Sequence, residues 1–152
     1  MKPLNEMRLS FPSKSANESF ARTAVAAFVA QLDPTVEEIC DIKTAVSEAV
    51  TNCVVHGYHS SIGRVYIQAK ITGDKVTIRI RDKGCGIADI PKAMEPLYTS
   101  CLTGERAGLG FAVMQQLMDK VKVYSVPGKG TTVVLERRLT SRGANDVCHK
   151  SE

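Results

Sequence analysis

The chain has no tryptophan, and aromatic residues make up only 5% of it. Platforms for stacking nucleic-acid bases are therefore poorly supplied. No apolar run approaches the roughly 18 residues that a membrane helix needs, and Met1 to Ser10 holds no apolar core of a secretory signal. The expectation is a cytoplasmic protein with no membrane partner. The 5 cysteines (Cys40, Cys53, Cys85, Cys101 and Cys148) are odd in number and never spaced C-x-x-C, so neither a disulfide framework nor a zinc site is expected. Lys and Arg total 20 against 16 Asp and Glu, with no dense basic stripe along the chain, which argues against nucleic acid as a partner. Several nucleotide motifs are also missing. Gly128-Lys129-Gly130-Thr131 lacks the leading glycine of a P-loop, the Gly-rich turn near Gly108 follows a loop and not a strand, and no eukaryotic-type kinase catalytic loop occurs.

What is present is globular composition, 43% hydrophobic and 24% charged over 152 residues. One domain is expected over residues 1–140, followed by a polar, disordered tail over 141–152. Met7 to Phe11 alternates as a short strand. Ser15-x-x-Glu18 and Thr35-x-x-Glu38 have capping-box spacing ahead of two helices. The first helix shows a stripe of Phe20, Ala24, Ala27, Phe28 and Ala30. The second shows Ile42, Val46, Ala49, Val50 and Cys53, with Gly57 as its C-cap. Val65, Ile67 and Ala69, then Val76, Ile78 and Ile80, alternate about a Gly73-Asp74 turn as a hairpin. Residues 88–107 read as a long lid-like loop. Gly108 to Lys120 reads as a third long helix, and Val121–Val126 with Thr131–Leu139 as a last hairpin. The order predicts a two-layer α/β sandwich, with a mixed, mainly antiparallel sheet and three helices on one face.

Three local patterns carry chemistry. Glu48, Asn52 and His56 recur every four residues, so they line one stripe beside the core face of the second helix. The carboxylate and amide suit Mg²⁺, and the carboxylate alternatively suits a general base. A solvated helix face shows the same spacing. Asp82-Lys83-Gly84-Cys85-Gly86 closes a strand, where a carboxylate can accept from an exocyclic amine and the glycines let backbone approach a ligand; a structural turn would look alike. Gly104-Glu105-Arg106-Ala107-Gly108-Leu109-Gly110-Phe111 opens a helix, whose free N–H groups suit an anion; a Gly-rich turn with no ligand would look alike.

In that order, and followed by Gly128-Lys129-Gly130-Thr131-Thr132, these boxes resemble the GHKL ATP-binding family over roughly residues 36–139. The resemblance implies the GHKL (Bergerat) fold with ATP/ADP and Mg²⁺ as cofactors. Glu48 matches the general base, Asn52 the Mg²⁺ ligand, and Asp82 the carboxylate that reads adenine. Gly84, Gly86, Ile87, Thr99, Gly108, Leu109, Gly110 and Phe111 match the nucleotide-binding set, with Thr131 or Thr132 near adenine. Arg106 is placed as a catalytic clamp on the terminal phosphate. Within the family, Asn17-Glu18-Ser19-Phe20-Ala21-Arg22, the run from Val25 to Thr35, and Ser47 to Tyr58 resemble the sporulation anti-sigma serine kinases. That branch implies a homodimer that inhibits a sporulation sigma factor (sigma F) and phosphorylates an anti-anti-sigma protein on serine, with Arg22 as a partner contact. A stress-response anti-sigma kinase, a sensor histidine kinase module and a non-catalytic ATP-binding domain are the alternatives. Cys85, beside the expected nucleotide, is expected to weaken ATP binding when alkylated.

Overall fold

Alternation of apolar and polar residues sets the sheet. The computed structural model describes residues 4–59, 61–94 and 109–140. Its strands are β1 (Asn5–Pro12), β2 (Arg64–Thr72), β3 (Lys75–Asp82), β4 (Lys120–Val126) and β5 (Gly130–Arg138). They lie in the order β1-β2-β3-β5-β4 with every neighbouring pair antiparallel, so among the described residues the expected mixed sheet is wholly antiparallel. Directly paired residues share a face. Leu9, Ile67, Ile80, Val133 and Val123 form one inward row, and Met7, Ala69, Ile78, Leu135 and Val121 the next. The intervening rows, Arg8-Gln68-Arg79-Val134-Lys122 and Ser10-Tyr66-Arg81-Thr132-Tyr124, stand on the opposite, polar face.

The helices are α1 (Ala16–Val29), α2 (Val36–Thr51), α3 (Ile90–Ala93) and α4 (Leu109–Leu117). α1, α2 and α4 cover the inward rows, and their buried side chains join those of the sheet in one core. Ile42, Val46, Ala49, Val50 and Cys53 are buried as the periodicity predicts. On α1 the buried stripe is Ala21, Val25 and Val29, not the expected Phe20, Ala24 and Ala27. Val25 and Val29, four apart, are buried in the core on the helix that packs against α2, and Phe20 instead turns outward, meeting Phe11 edge-on with ring centroids 6.3 Å apart.

Only one of the two capping boxes forms. Thr35 Oγ1 accepts from Glu38 N at 3.0 Å, while Glu38 Oε1 accepts from Thr35 N at 2.8 Å. Ser15 makes no such bond: its backbone is already helical (φ −55, ψ −35), and Glu18 is drawn to Thr51 and Arg22 instead. The third long helix spans Leu109–Leu117 within the expected Gly108–Lys120. Its last carbonyl, Leu117 O, accepts from Arg137, which also pairs with Asp41 of α2 at 3.1 Å. α3 falls within the segment expected as loop. Asp89 caps it by accepting from Lys92 N at 3.1 Å, and Pro91 sits in its first turn, where no N–H is needed. The tail 141–152 lies outside the described residues.

Candidate active site

α2 does not run on regularly to His56. At Asn52 it widens into a π-turn, Asn52–Gly57, in which Tyr58 N donates to Cys53 O at 3.0 Å across five residues. Such turns recur where a helix must re-aim side chains at a site. Gly57 is not the left-handed C-cap expected of it, since its φ is not positive. It is glycine for space: a Cβ there would stand 2.9 Å from the Asp82 carboxyl carbon. Gly84 is glycine for the same reason, since its Cβ would lie 2.0 Å from Gly57 O. The end of α2 and the end of β3 are thus pressed together, and Cys85 N donates to Gly57 O at 2.8 Å across the seam. At Gly86 the backbone itself demands glycine, with φ +75.

These elements enclose a cavity of about 320 Å³, within the range of small-molecule sites. Asn52, Asp82, Gly86, Ile87, Gly110, Phe111 and Thr131 all border it. Asp82 is buried, and its carboxylate accepts from Gly84 N at 2.9 Å. Burial raises its pKa against the opposing pull of hydrogen bonds from Gly84 N, the Cys53 thiol and Thr131 N. Burial and the Asp82 charge push the Cys53 thiol well up, so it remains a proton donor to Asp82. Burial, then the neighbouring His59, lowers the pKa of His56 on the cavity wall.

At the other end, Glu48 and Asn52 converge on the first turn of α4. A Cβ on Gly110 would lie 3.2 Å from Asn52 Oδ1, 3.3 Å from Asn52 Nδ2 and 3.3 Å from Glu48 Oε2. The missing side chain leaves a cradle between a carboxylate, an amide and the N-terminal N–H groups of a helix. Asn52 Nδ2 is buried with no hydrogen-bond partner. An anion seated on α4 would supply one, and the two oxygens suit a hard cation that takes most of its ligands from phosphate. Among the described residues no group of three or more His, Cys, Asp or Glu could hold a metal on its own.

Not every expected residue arrives. Thr131 faces Asp82 in register and borders the cavity, whereas Thr132, one residue on, points to the opposite face beside Tyr66 and Tyr124. Of the two threonines that the sequence left open, strand parity brings Thr131 and not Thr132 to this cavity. Thr99, Arg106 and Gly108 lie outside the described residues, and Leu109 begins α4. Gly84 shapes the floor by packing on Gly57 and does not line the cavity. Arg22 sits on α1, paired with Glu18 at 3.4 Å. Sequence reasoning missed His59 and Pro127 on the cavity rim, because neither belongs to a box.

Comparison with known proteins matches this geometry. Residues 11–137 match the family model described as a histidine kinase-like ATPase domain. An anti-sigma F factor of Thermoanaerobacter sp. (strain X514) is 61% identical over 141 residues, covering 93% of this chain and 99% of its own. The chain belongs to the anti-sigma F factor family of histidine kinase-like ATPase domains. Further members of the family are alike. The anti-sigma F factor of Caldanaerobacter subterraneus subsp. tengcongensis is 63% identical over 135 residues, 89% of this chain and 94% of the relative. The fold has a solved counterpart in the RsbU and RsbW domains of a Mycobacterium tuberculosis protein, with a TM-score of 0.66 at 22% identity. The match covers 90% of this chain and 32% of that one. A family ATPase domain implies nucleotide binding. Among the described residues no helix is long and apolar enough to cross a membrane.

Proposed function

We propose that the protein is a homodimeric anti-sigma factor and ATP-dependent serine kinase, which holds a sporulation sigma factor and phosphorylates an anti-anti-sigma protein. One observation carries the catalytic half of this reading: Glu48 and Asn52 both stand against Gly110 at the start of α4, and Asn52, Gly110 and Asp82 line one cavity. Relatives named anti-sigma F factor support the partner half.

Asp82 would accept from the adenine amino group, with Thr131 beside it. The N-terminal N–H groups of α4 would bind the phosphates, and Asn52 would hold Mg²⁺ through its carbonyl oxygen. Bound Mg²⁺ supplies charge neutralisation across the phosphates. Glu48 would accept the proton of the partner's serine hydroxyl as its oxygen attacks the γ-phosphorus and the bond to the β-phosphate oxygen breaks. Arg106 is assigned the same charge-stabilising task by its place ahead of α4 in the sequence. ADP leaves, and phosphoserine remains on the partner.

The test is incubation with γ-labelled ATP and a candidate anti-anti-sigma protein, followed by acid treatment of the product. Phosphoserine keeps its label in acid. An acid-labile product would make the substrate a histidine, and no label at all on any partner would leave an ATP-binding module without kinase activity.

A further inference from the structure

Cys85 does not stand by itself at the edge of the cavity. Its Sγ lies 3.4 Å from His59 Nε2, 3.1 Å from His56 O and 3.4 Å from Gly86 O, and both Cys85 and His59 are exposed on the cavity border. The two carbonyl oxygens can only hold the thiol proton, whereas an imidazole can take it away at neutral pH. His59 reaches this position with φ +52, a left-handed backbone that most side chains avoid. The backbone of Cys85 is fixed from both sides. Its N–H donates to Gly57 O at 2.8 Å, and its carbonyl accepts from Gly128 N at 2.7 Å. A group added to the sulfur therefore stays at the cavity, since carrying it off would break both bonds.

We propose that Cys85 and His59 form a reactive pair that exchanges with small disulfides, and that the mixed disulfide closes the cavity to nucleotide until a thiol removes it. As His59 Nε2 takes the thiol proton, Cys85 Sγ attacks one sulfur of a disulfide R–S–S–R. The new Sγ–S bond forms while the old S–S bond breaks, and the departing thiolate takes the proton from His59 and leaves as RSH. The disulfide is the oxidant and Cys85 the group oxidised; attack by free RSH reverses the step. At about 320 Å³ the cavity is at the small end for a ligand site, and Cys85 shares its border with Asp82, Gly86 and Pro127. It has no room to spare for an adduct beside a ligand. The closure rests on the reading of this cavity as the nucleotide site; the reactivity of the pair does not.

The probe is 2-hydroxyethyl disulfide added to the full chain, with labelling at each cysteine timed by peptide mass. Cys85 should gain its mixed disulfide at least about tenfold faster than Cys40, which is also exposed. ATP should protect Cys85 and not Cys40. His59→Asn keeps a residue that tolerates the left-handed backbone; it should slow Cys85 by about tenfold and leave Cys40 unchanged. Thermal midpoints establish that the variant is folded, and His59→Gly repeats the test if His59→Asn is not. Protein labelled at Cys85 should bind ATP at least about tenfold less tightly, and dithiothreitol should restore the affinity. Labelling of Cys85 no faster than of Cys40, or unslowed in the folded His59 variant, overturns the pair. Unchanged ATP affinity after labelling, or an equal loss in treated Cys85→Ser, overturns the closure. A wild type that binds no ATP before treatment overturns the nucleotide reading and the closure together, while the labelling rates still decide the pair.

Discussion

Burial raises the pKa of Asp82, so the ionised form that would accept from an exocyclic amine is held against the preference of its surroundings. A carboxyl with a raised folded-state pKa favours the fold below its unfolded-state pKa, and that contribution disappears as pH rises through the folded value. At neutral pH the charge therefore works against stability. Asp82→Asn should keep the acceptor for Gly84 N, raise or preserve the thermal midpoint at pH 7, and weaken ATP binding by at least about tenfold. Titration calorimetry beside a melting curve checks both halves. ATP affinity of the wild type should also fall as pH drops through the raised pKa of Asp82. Cys85 offers a second residue-scale test. Its Sγ lies 3.1 Å from His56 O and 3.4 Å from His59 Nε2, exposed on the rim of the same cavity. Alkylation confirmed at Cys85 by mass should weaken ATP binding, while Cys85→Ser should bind ATP normally and be indifferent to the reagent; unchanged affinity after labelling would remove the thiol from the site. At this scale the sequence was informative about which residues gather: it singled out Glu48, Asn52 and Asp82, and the structure brings Asn52 and Asp82 to one cavity with Glu48 against Gly110 beside it. It misread Gly57 and left Thr131 and Thr132 open, because close backbone approach and strand parity are properties of two elements at once.

The elements hold the site by their ends. α2 starts at a capping box whose Glu38 also accepts from Thr140 N at 2.8 Å, tying it to the chain beyond β5. Burial pushes the Glu38 pKa up, but the bonds from Thr35 and Thr140 together outweigh it and lower the pKa. A lowered folded-state pKa gives stability that is present above the unfolded-state value and is lost as pH falls through the folded one. Glu38→Ala should cost about 1–2 kcal/mol at neutral pH, and the difference from wild type should shrink in acid, measured by urea denaturation. α4 provides the counterpart at its start. Gly110→Ala replaces the poorest helix former except proline, a gain of up to about 1 kcal/mol, yet fills the cradle between Asn52 and Glu48. The variant should melt no earlier than wild type and bind ATP about tenfold less tightly. The helix periodicity of α2 was legible because its apolar stripe, Ile42, Val46, Ala49, Val50 and Cys53, is unbroken. The stripe of α1 was misassigned because alanines satisfy either side, and only the packing of the whole helix in the core decides that Val25 and Val29 are the buried pair.

At the scale of the whole molecule, one sheet serves two surfaces. Its inward rows carry the core and end at Asp82 and Thr131, the wall of the cavity; its outward rows carry Arg8, Arg79, Arg81 and Lys122 on the opposite, polar face. The layer order followed from strand and helix periodicity, and the strand order did not, because nothing local says that β5 inserts between β3 and β4. That insertion places Thr131 opposite Asp82 and so completes the site. Charge balance was likewise invisible in a linear count and appears only once alternation assigns each cation a side. The central claim is that Glu48 acts in phosphoryl transfer and not in holding the nucleotide. Its most direct test is single-turnover transfer from ATP to the anti-anti-sigma serine by Glu48→Gln, with ATP affinity measured on the same preparation. We expect affinity within a few-fold of wild type and transfer slowed by about a hundredfold or more. Transfer at the wild-type rate, or its loss only in step with ATP affinity, would contradict it.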